Sequence, residues 1–311
     1  MLRSVAMKET LTALAQCPRE TLAAIEGVLT DIDETVSTHS QLTAEAYGAM
    51  EALKKAGFRV IPVTGRPAGW CDLIARFWPV DAVVGENGAF WMWHDDKAHK
   101  LRTRFVQSDA ERAEGKRRLE TVRAQVLADV PGAGIASDQP YRAADLAIDF
   151  CEDVASLPHD DVLREVPGAG IASDQPYRLA DLAIDFCEDV PPLARPDVER
   201  IVSIFERHGA QAKISSIHVN GWFGDYDKLT TSRQMMSELF GIDIEARRDR
   251  YVFSGDSPND SPMFGFFPNG VGVANVREFA EVMPHLPRWI TTARSGSGFV
   301  ELAKALIAAR S

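Results

Sequence analysis

Apolar positions along this chain switch repeatedly between strand spacing and helix spacing, and the order of the switches predicts its fold. Val28 and Leu29, flanked by Gly27 and Thr30, form a short apolar run that stops at Asp31-Ile32-Asp33. Such a run is how a strand buried in a parallel sheet reads. Residues 43–56 then take helical spacing, with Leu42, Ala46, Met50 and Leu53 on one stripe and Gly57 as a stop. Residues 58–63 return to strand, so strand, helix and strand predict a right-handed crossover and parallel pairing. Further on, the pattern predicts strands at 82–84 and 90–93 around a turn at 86–89, with Trp91 and Trp93 packing in the core or on a sheet face. Helices follow at 195–208, 230–240 and 299–309, and strands at 212–219, 251–254 and 271–274, the last closing the core sheet. Asn220-Gly221 predicts a hairpin turn leading into Trp222-Phe223. At the amino end, Leu11, Leu14, Ala15, Leu22 and Ile25 predict a leader helix over 8–26, broken or restarted at Pro18.

The middle of the chain repeats itself. Residues 130–154 and 166–190 are the same 25-residue text apart from Ala143 against Leu179, and the offset from Val130 to Val166 is 36 residues. Solenoids need about three or more units to bury a core, so two copies point instead to a tandem duplication or an error of sequence assembly. Each copy predicts one alternating strand, at 145–151 and 181–187. The second copy runs on into the helix at 195–208 and toward Lys228, which makes the first copy the expected passenger.

Composition narrows the partners. A net charge of −11 over 311 residues disfavours a nucleic-acid backbone or an anionic membrane. It leaves room for a small phosphorylated metabolite, whose local field a bound cation and one or two basic groups would set. Cys17, Cys71, Cys151 and Cys187 form no metal spacing and read as buried thiols of a reducing cytoplasm. No apolar run reaches about 18 residues, and the opening residues lack the apolar core of a secretory signal. Nothing here sets an oligomeric state.

The chemistry gathers where predicted strands end in polar residues, the edge at which open α/β sheets bind ligands. Asp31 and Asp33 close the first strand, Thr64 and Gly65 the second, and Asp256 and Asp260 follow the strand at 251–254. D-x-D-x-T also opens a calcium loop, but that loop needs Gly at its sixth and Glu at its twelfth position, where this chain has Val36 and Leu42. Thr64 could equally cap the helix near Pro67. A carboxylate nucleophile and a phosphate monoester repel each other, so the site calls for a cation, and a few carboxylate oxygens suit Mg²⁺.

Four stretches in one order, the Asp31 block, Ile61-Pro62-Val63-Thr64-Gly65-Arg66-Pro67, Asp227-Lys228, and Gly255-Asp256-Ser257-Pro258-Asn259-Asp260, resemble the four motifs of the haloacid dehalogenase (HAD) superfamily of phosphatases. Glu86-Asn87-Gly88-Ala89 and Gly270-Val271-Gly272-Val273-Ala274-Asn275 are similar to blocks of its subfamily IIB, the Cof-like sugar-phosphatase branch. The resemblance implies a doubly wound, Rossmann-like α/β core with a parallel sheet, built from 1–105 and 225–311. An inserted α+β cap of the C2B type would span 106–224 and carry the repeat as 130–165 and 166–201. It implies Asp31 as nucleophile, Asp33 as acid/base, and Thr64, Gly65 and Lys228 at the phosphoryl group. Mg²⁺ would be held by Asp31, the Asp33 carbonyl and Asp256, with Asp260 in or just behind that shell and Asn259 and Asn87 in support. Ser216, His218 and Asn220, on one face of a regular strand, would face the substrate, or else form a solvated polar face. A phosphomutase or other phosphotransferase would use the same groups. A receiver domain shares clustered acids, a Thr or Ser and a Lys but is much shorter, and a silent binding protein has no motif in its favour.

Overall fold

The computed structural model describes residues 11–129, 182–185, 195–214 and 218–310. In chain order the strands are β1 (Thr12–Ala13), β2 (Gly27–Thr30), β3 (Arg59–Pro62), β4 (Val83–Gly85), β5 (Phe90–Asp95), β6 (Lys100–Phe105), β7 (Leu182–Asp185), β8 (Gln211–Ile214), β9 (His218–Trp222), β10 (Tyr251–Gly255), β11 (Val271–Gly272) and β12 (Trp289–Ile290). The helices are α1 (Arg19–Ala23), α2 (Ala44–Lys55), α3 (Ala68–Phe77), α4 (Asp109–Asp129), α5 (Arg195–Arg207), α6 (Lys228–Phe240), α7 (Ser261–Phe266) and α8 (Ser295–Arg310).

Six strands form one all-parallel sheet in the order β1-β12-β11-β10-β2-β3. Its strands alternate sides, and both sides are covered. Val28, Val60 and Val252 pack with Met50 and Leu53 of α2 and Leu302 and Leu306 of α8. Leu29, Ile61 and Phe253 face the other way, onto Met235 and Met236 of α6 and Met263 and Phe264 of α7. Burial on both faces is why β2 reads as an unbroken apolar run, and it makes the core a doubly wound α/β sheet. The β2 strand lies between β3, which follows it in the chain, and β10, which arrives more than 200 residues later. That is a topological switch point, where such sheets open a crevice at their carboxyl ends.

An antiparallel sheet, β4-β5-β6, joins the core through a single bridge from Val63 to Val84. Trp91 is buried in it and Trp93 packs on the cluster partly exposed, as expected of sheet packing. A third sheet, β7-β9-β8, belongs to the segment between β6 and α6. That segment leaves and re-enters the core at neighbouring points, since Gln107 Nε2 donates to the Phe223 carbonyl at 3.1 Å. Trp222 stacks on Tyr226 and shares a buried cluster with Ile32, Phe90 and Cys71, which anchors β9 to the core.

Several expectations need correcting. No continuous helix runs through 11–26: Thr12–Ala13 pairs with β12 at the sheet edge, while the restart expected at Pro18 is met by α1, a helix of 5 residues. The sheet does not end at β11, because β12 and β1 continue it. Asn220-Gly221 is no turn. Both residues sit inside β9, opposite Lys213 and Ala212 of β8. Gly221 is needed there for closeness, since a Cβ would lie 2.2 Å from the Phe205 ring. The expected strand at 212–219 is therefore two strands. The first repeat copy and most of the second lie outside the described residues, while β7 falls within the strand expected at 181–187. Cys17 and Cys71 are buried cysteines that form no disulfide with a described residue, and Cys151 and Cys187 lie outside the described residues. Among the described residues no helix is long and apolar enough to cross a membrane.

Candidate active site

Parallel register brings three strand ends to one edge. Thr30 is level with Ser254 of β10 and Pro62 of β3, and the ladder continues one step, with Asp31 N donating to Ser254 O at 2.8 Å and Val63 N to Thr30 O at 2.7 Å. Asp31, Thr64 and Asp256 follow directly. All three are buried.

Lys228, the first residue of α6, completes the group from across the chain. Its buried ammonium donates to Asp31 Oδ1 at 2.6 Å and to Asp260 Oδ1 at 2.8 Å. Asp227 caps the helix through Thr230 in a reciprocal capping box, which fixes where Lys228 starts. Burial alone would lower the lysine pKa, but Asp260 and Asp31 outweigh it and hold the amine charged. For Asp31, burial dominates and pushes the carboxyl up to about 8, against the attraction of Lys228 and with the repulsion of Asp260 and Asp33. Asp256 is raised for the same first reason, then by Asp260 and Asp31. Three buried carboxylates and one ammonium leave the cluster short of positive charge.

Ligand oxygens of Asp31, Asp256 and Asp260 lie within 4.8 Å of one another, as a cation site requires. Their bonding separates their roles. Asp260 Oδ2 accepts from the Asp256 and Ser257 amides at 3.0 and 3.3 Å and Oδ1 from Lys228, so its carboxylate is already committed to protein donors. Asp256 Oδ2 accepts from Asn275 Nδ2 at 2.8 Å, whereas Oδ1 is buried with no hydrogen-bond partner among the described residues. A buried carboxylate oxygen aimed into an acidic cluster without a donor fits a metal ligand. Asn275 also donates to the Glu34 carbonyl and accepts from Ser295 N, so its amide is fixed. Asn275→Ala is expected to weaken divalent-cation binding by about 10- to 100-fold, read by calorimetric titration with Mg²⁺. Unchanged affinity would mean that Asp256 holds its orientation without this bond.

The other residues singled out in the sequence fall as follows. Asp33 is outside that group of three acids, and its Oδ1 accepts from Arg66 Nε at 2.8 Å and from Arg66 Nη2 at 2.7 Å. Thr64 Oγ1 accepts from Arg66 N at 3.0 Å, and the Thr64 carbonyl accepts from Asn87 N, so a turn inside the loop organises it rather than a helix cap. Gly65 is half-buried between them. Asn87 is buried in left-handed backbone (φ 54°) and lines a cleft with Lys228 and Asn259. Asn259 Oδ1 accepts from Ser257 Oγ at 2.8 Å, which stiffens the turn before Asp260. Ser216 lies outside the described residues, and His218 and Asn220 are described only as backbone positions of β9.

Solved structures share this fold at low sequence identity. A protein described as a HAD/COF-like hydrolase from Plasmodium vivax superposes with a TM-score of 0.59 at 18% identity, over 93% of this chain and 99% of its own. A HAD subclass IIB sugar phosphatase superposes with a TM-score of 0.56 at 14% identity, over 90% and 98%. A trehalose-6-phosphate phosphatase related protein does so with a TM-score of 0.51 at 16% identity, over 90% and 94%. This chain has the HAD superfamily fold. No protein-family model matches the chain, and no curated protein matches its sequence.

Within the HAD fold, three side chains at the site drew no role from the sequence. Arg66 stands in the second motif and holds Asp33, a link its two-residue spacing from Thr64 could have suggested. Asn275 was visible only as the last residue of a glycine-rich block. Lys213 of β8 enters the cleft from the inserted segment. A lone lysine in an alternating strand carries no sequence signal of its own.

Proposed function

We propose that this chain is a Mg²⁺-dependent phosphatase that hydrolyses a small phosphorylated metabolite, with sugar phosphates the first class to try. The reaction runs through an aspartyl-phosphate on Asp31. The observation that carries this reading is the buried Lys228 ammonium shared by Asp31 and Asp260, beside an Asp256 oxygen that lacks a partner. Asp31, the Asp33 carbonyl and Asp256 would hold Mg²⁺, with Asp260 behind them. When bound, the ion supplies the positive charge that lets a carboxylate approach a phosphate dianion.

An Asp31 oxygen attacks phosphorus, the bond from phosphorus to the ester oxygen breaks, and Asp33 passes its proton to the departing alcohol. Asp33 then takes a proton from the water that attacks the aspartyl-phosphate, which frees inorganic phosphate and restores the Asp31 carboxylate. Thr64 Oγ and Lys228 Nζ donate to the phosphoryl oxygens, with the Gly65 backbone beside them. Residues 106–224 serve as a cap over a core made of 1–105 and 225–311.

The test is phosphate release from a panel of phosphate monoesters. Release is expected with Mg²⁺, loss in chelator, and recovery when Mg²⁺ is returned in excess, without a bisphosphate activator. Full activity in chelator would remove the ion from the reading. Transfer of the phosphoryl group to a second alcohol in place of water would make the chain a phosphotransferase.

A further inference from the structure

We propose that the ester taken by this site carries a second anionic group, a carboxylate or a second phosphate, on the part that leaves, and that Lys213 binds it. This rests on the phosphatase reading and narrows its substrate.

The β8 strand lies against the turn Pro258–Asp260, so the inserted segment approaches the acidic end of the site. The cleft between them is walled by Asn87, Lys228 and Asn259 of the core and by Lys213 and Trp222 of the inserted segment. Its two lysines differ in what they already hold. The Lys228 ammonium is buried and engaged by two carboxylates. Lys213 is exposed, and its ammonium makes no ion pair or hydrogen bond with a described residue. Asp227 also lines the cleft, yet it makes no ion pair with Lys213, and its Oδ1 accepts from Thr230 N at 2.7 Å and Thr230 Oγ1 at 2.9 Å.

Lys116 of α4 gives the contrast. Among the acids acting on that lysine, Glu86, next to the cleft residue Asn87, has the strongest effect. The inserted segment thus brings one lysine under the influence of an acid of the core, and another to a cleft whose acid, Asp227, is engaged by Thr230 instead. A chain of net charge −11 repels polyanions in general, so a cation kept in the cleft shifts the local balance toward a substrate with more than one anionic group. The phosphoryl group is served by Thr64, Gly65 and Lys228 at the strand ends, which leaves Lys213 for the far end of the molecule. An ammonium on a flexible stem acts as a point charge and suits either a carboxylate or a phosphate.

Matched esters test this. Glycerol 3-phosphate against 3-phosphoglycerate, and glucose 6-phosphate against 6-phosphogluconate, differ in a distal carboxylate. Binding is measured by calorimetry with Mg²⁺ on the full chain carrying Asp31→Asn, with and without Lys213→Met or Lys213→Arg, and turnover on the chain with Asp31 intact. In at least one pair the carboxylated ester should bind about tenfold tighter. Lys213→Met should bring that ratio close to one, Lys213→Arg should restore most of it, and in turnover the change should fall on KM. A pair ratio near one, or one that Lys213→Met leaves in place, overturns the inference. If the ratio appears in binding while no ester is hydrolysed, the phosphatase reading fails and the anion site stands.

Discussion

Asp31→Asn is expected to abolish phosphate release, by on the order of 10⁴-fold or more, while leaving the protein folded. The amide keeps the shape of the carboxylate, so Lys228 retains an oxygen to donate to, but it cannot attack phosphorus. Loss of activity alone would not separate a lost nucleophile from a lost fold. The electrostatics do. Burial pushes the Asp31 carboxyl up to about 8, so the folded state binds its proton more tightly than the unfolded chain does. The stabilisation from that proton is complete below the ordinary carboxylate range and fades as pH rises toward 8. A neutral amide does not titrate. In chelator at pH 8 the Tm of Asp31→Asn should therefore equal or exceed that of the parent. Asp33→Asn should lower turnover by about 10²- to 10⁴-fold, because proton transfer is lost while the nucleophile stays. Well-folded Asp31→Asn that still releases phosphate at a substantial rate would sink the nucleophile assignment.

Gly88→Ala should be the most damaging single-methyl change near the site. Gly88 has φ +112°, and a Cβ there would stand 2.3 Å from the Asp227 carbonyl oxygen and 2.5 Å from its carbon. Neither is a side chain that can swing away. The Gly88 carbonyl also accepts from Thr231 Oγ1 at 2.6 Å, so this turn is fastened to the first turn of α6. Backbone strain of about 1–3 kcal/mol and overpacking of about 1–3 kcal/mol together predict a loss of roughly 2–6 kcal/mol. Because Asp227 immediately precedes Lys228, relief of the clash moves the ammonium as well, and a displacement of about 1 Å can cost about 10²-fold in rate. Gly48→Ala is the control: nothing lies within 4 Å of its Cβ in α2, and the change should stabilise by about 0.5–1 kcal/mol. Thermal melts and steady-state rates of both variants decide the matter. A Gly88→Ala protein that matched the parent in both would mean that this contact does not position Lys228.

What the sequence made legible follows from how physics writes each element. The β2 strand, buried on both faces, left an unbroken apolar run, and α2 left a stripe with Thr43 as its cap, so Asp31 and Thr64 could be placed at one edge. Strands of two residues such as β1 and β12 are too short for any period to show. The β6 strand, with four of its six residues exposed, carries no apolar face to read. Asn220-Gly221 misled because the dipeptide usually signals φ > 0, whereas here the glycine serves the Phe205 ring. The pairing of Arg66 with Asp33 and of Asn275 with Asp256 depends on distances that only the folded sheet supplies.

The bridge from Gln107 to Phe223 bears on how this chain could have changed length. Its two ends lie 116 residues apart in sequence and are joined at one point of the core. The stretch between them is closed there into a loop that meets the core again where β8 lies against Pro258–Asp260. The entropy of closing a flexible loop grows only with the logarithm of its length, so 36 extra residues cost roughly 0.3 kcal/mol on that scaling. A copying accident that lengthened almost any other connection would have to be accommodated beside β2 or α6. Here it would fall within the stretch that Gln107 and Phe223 close off.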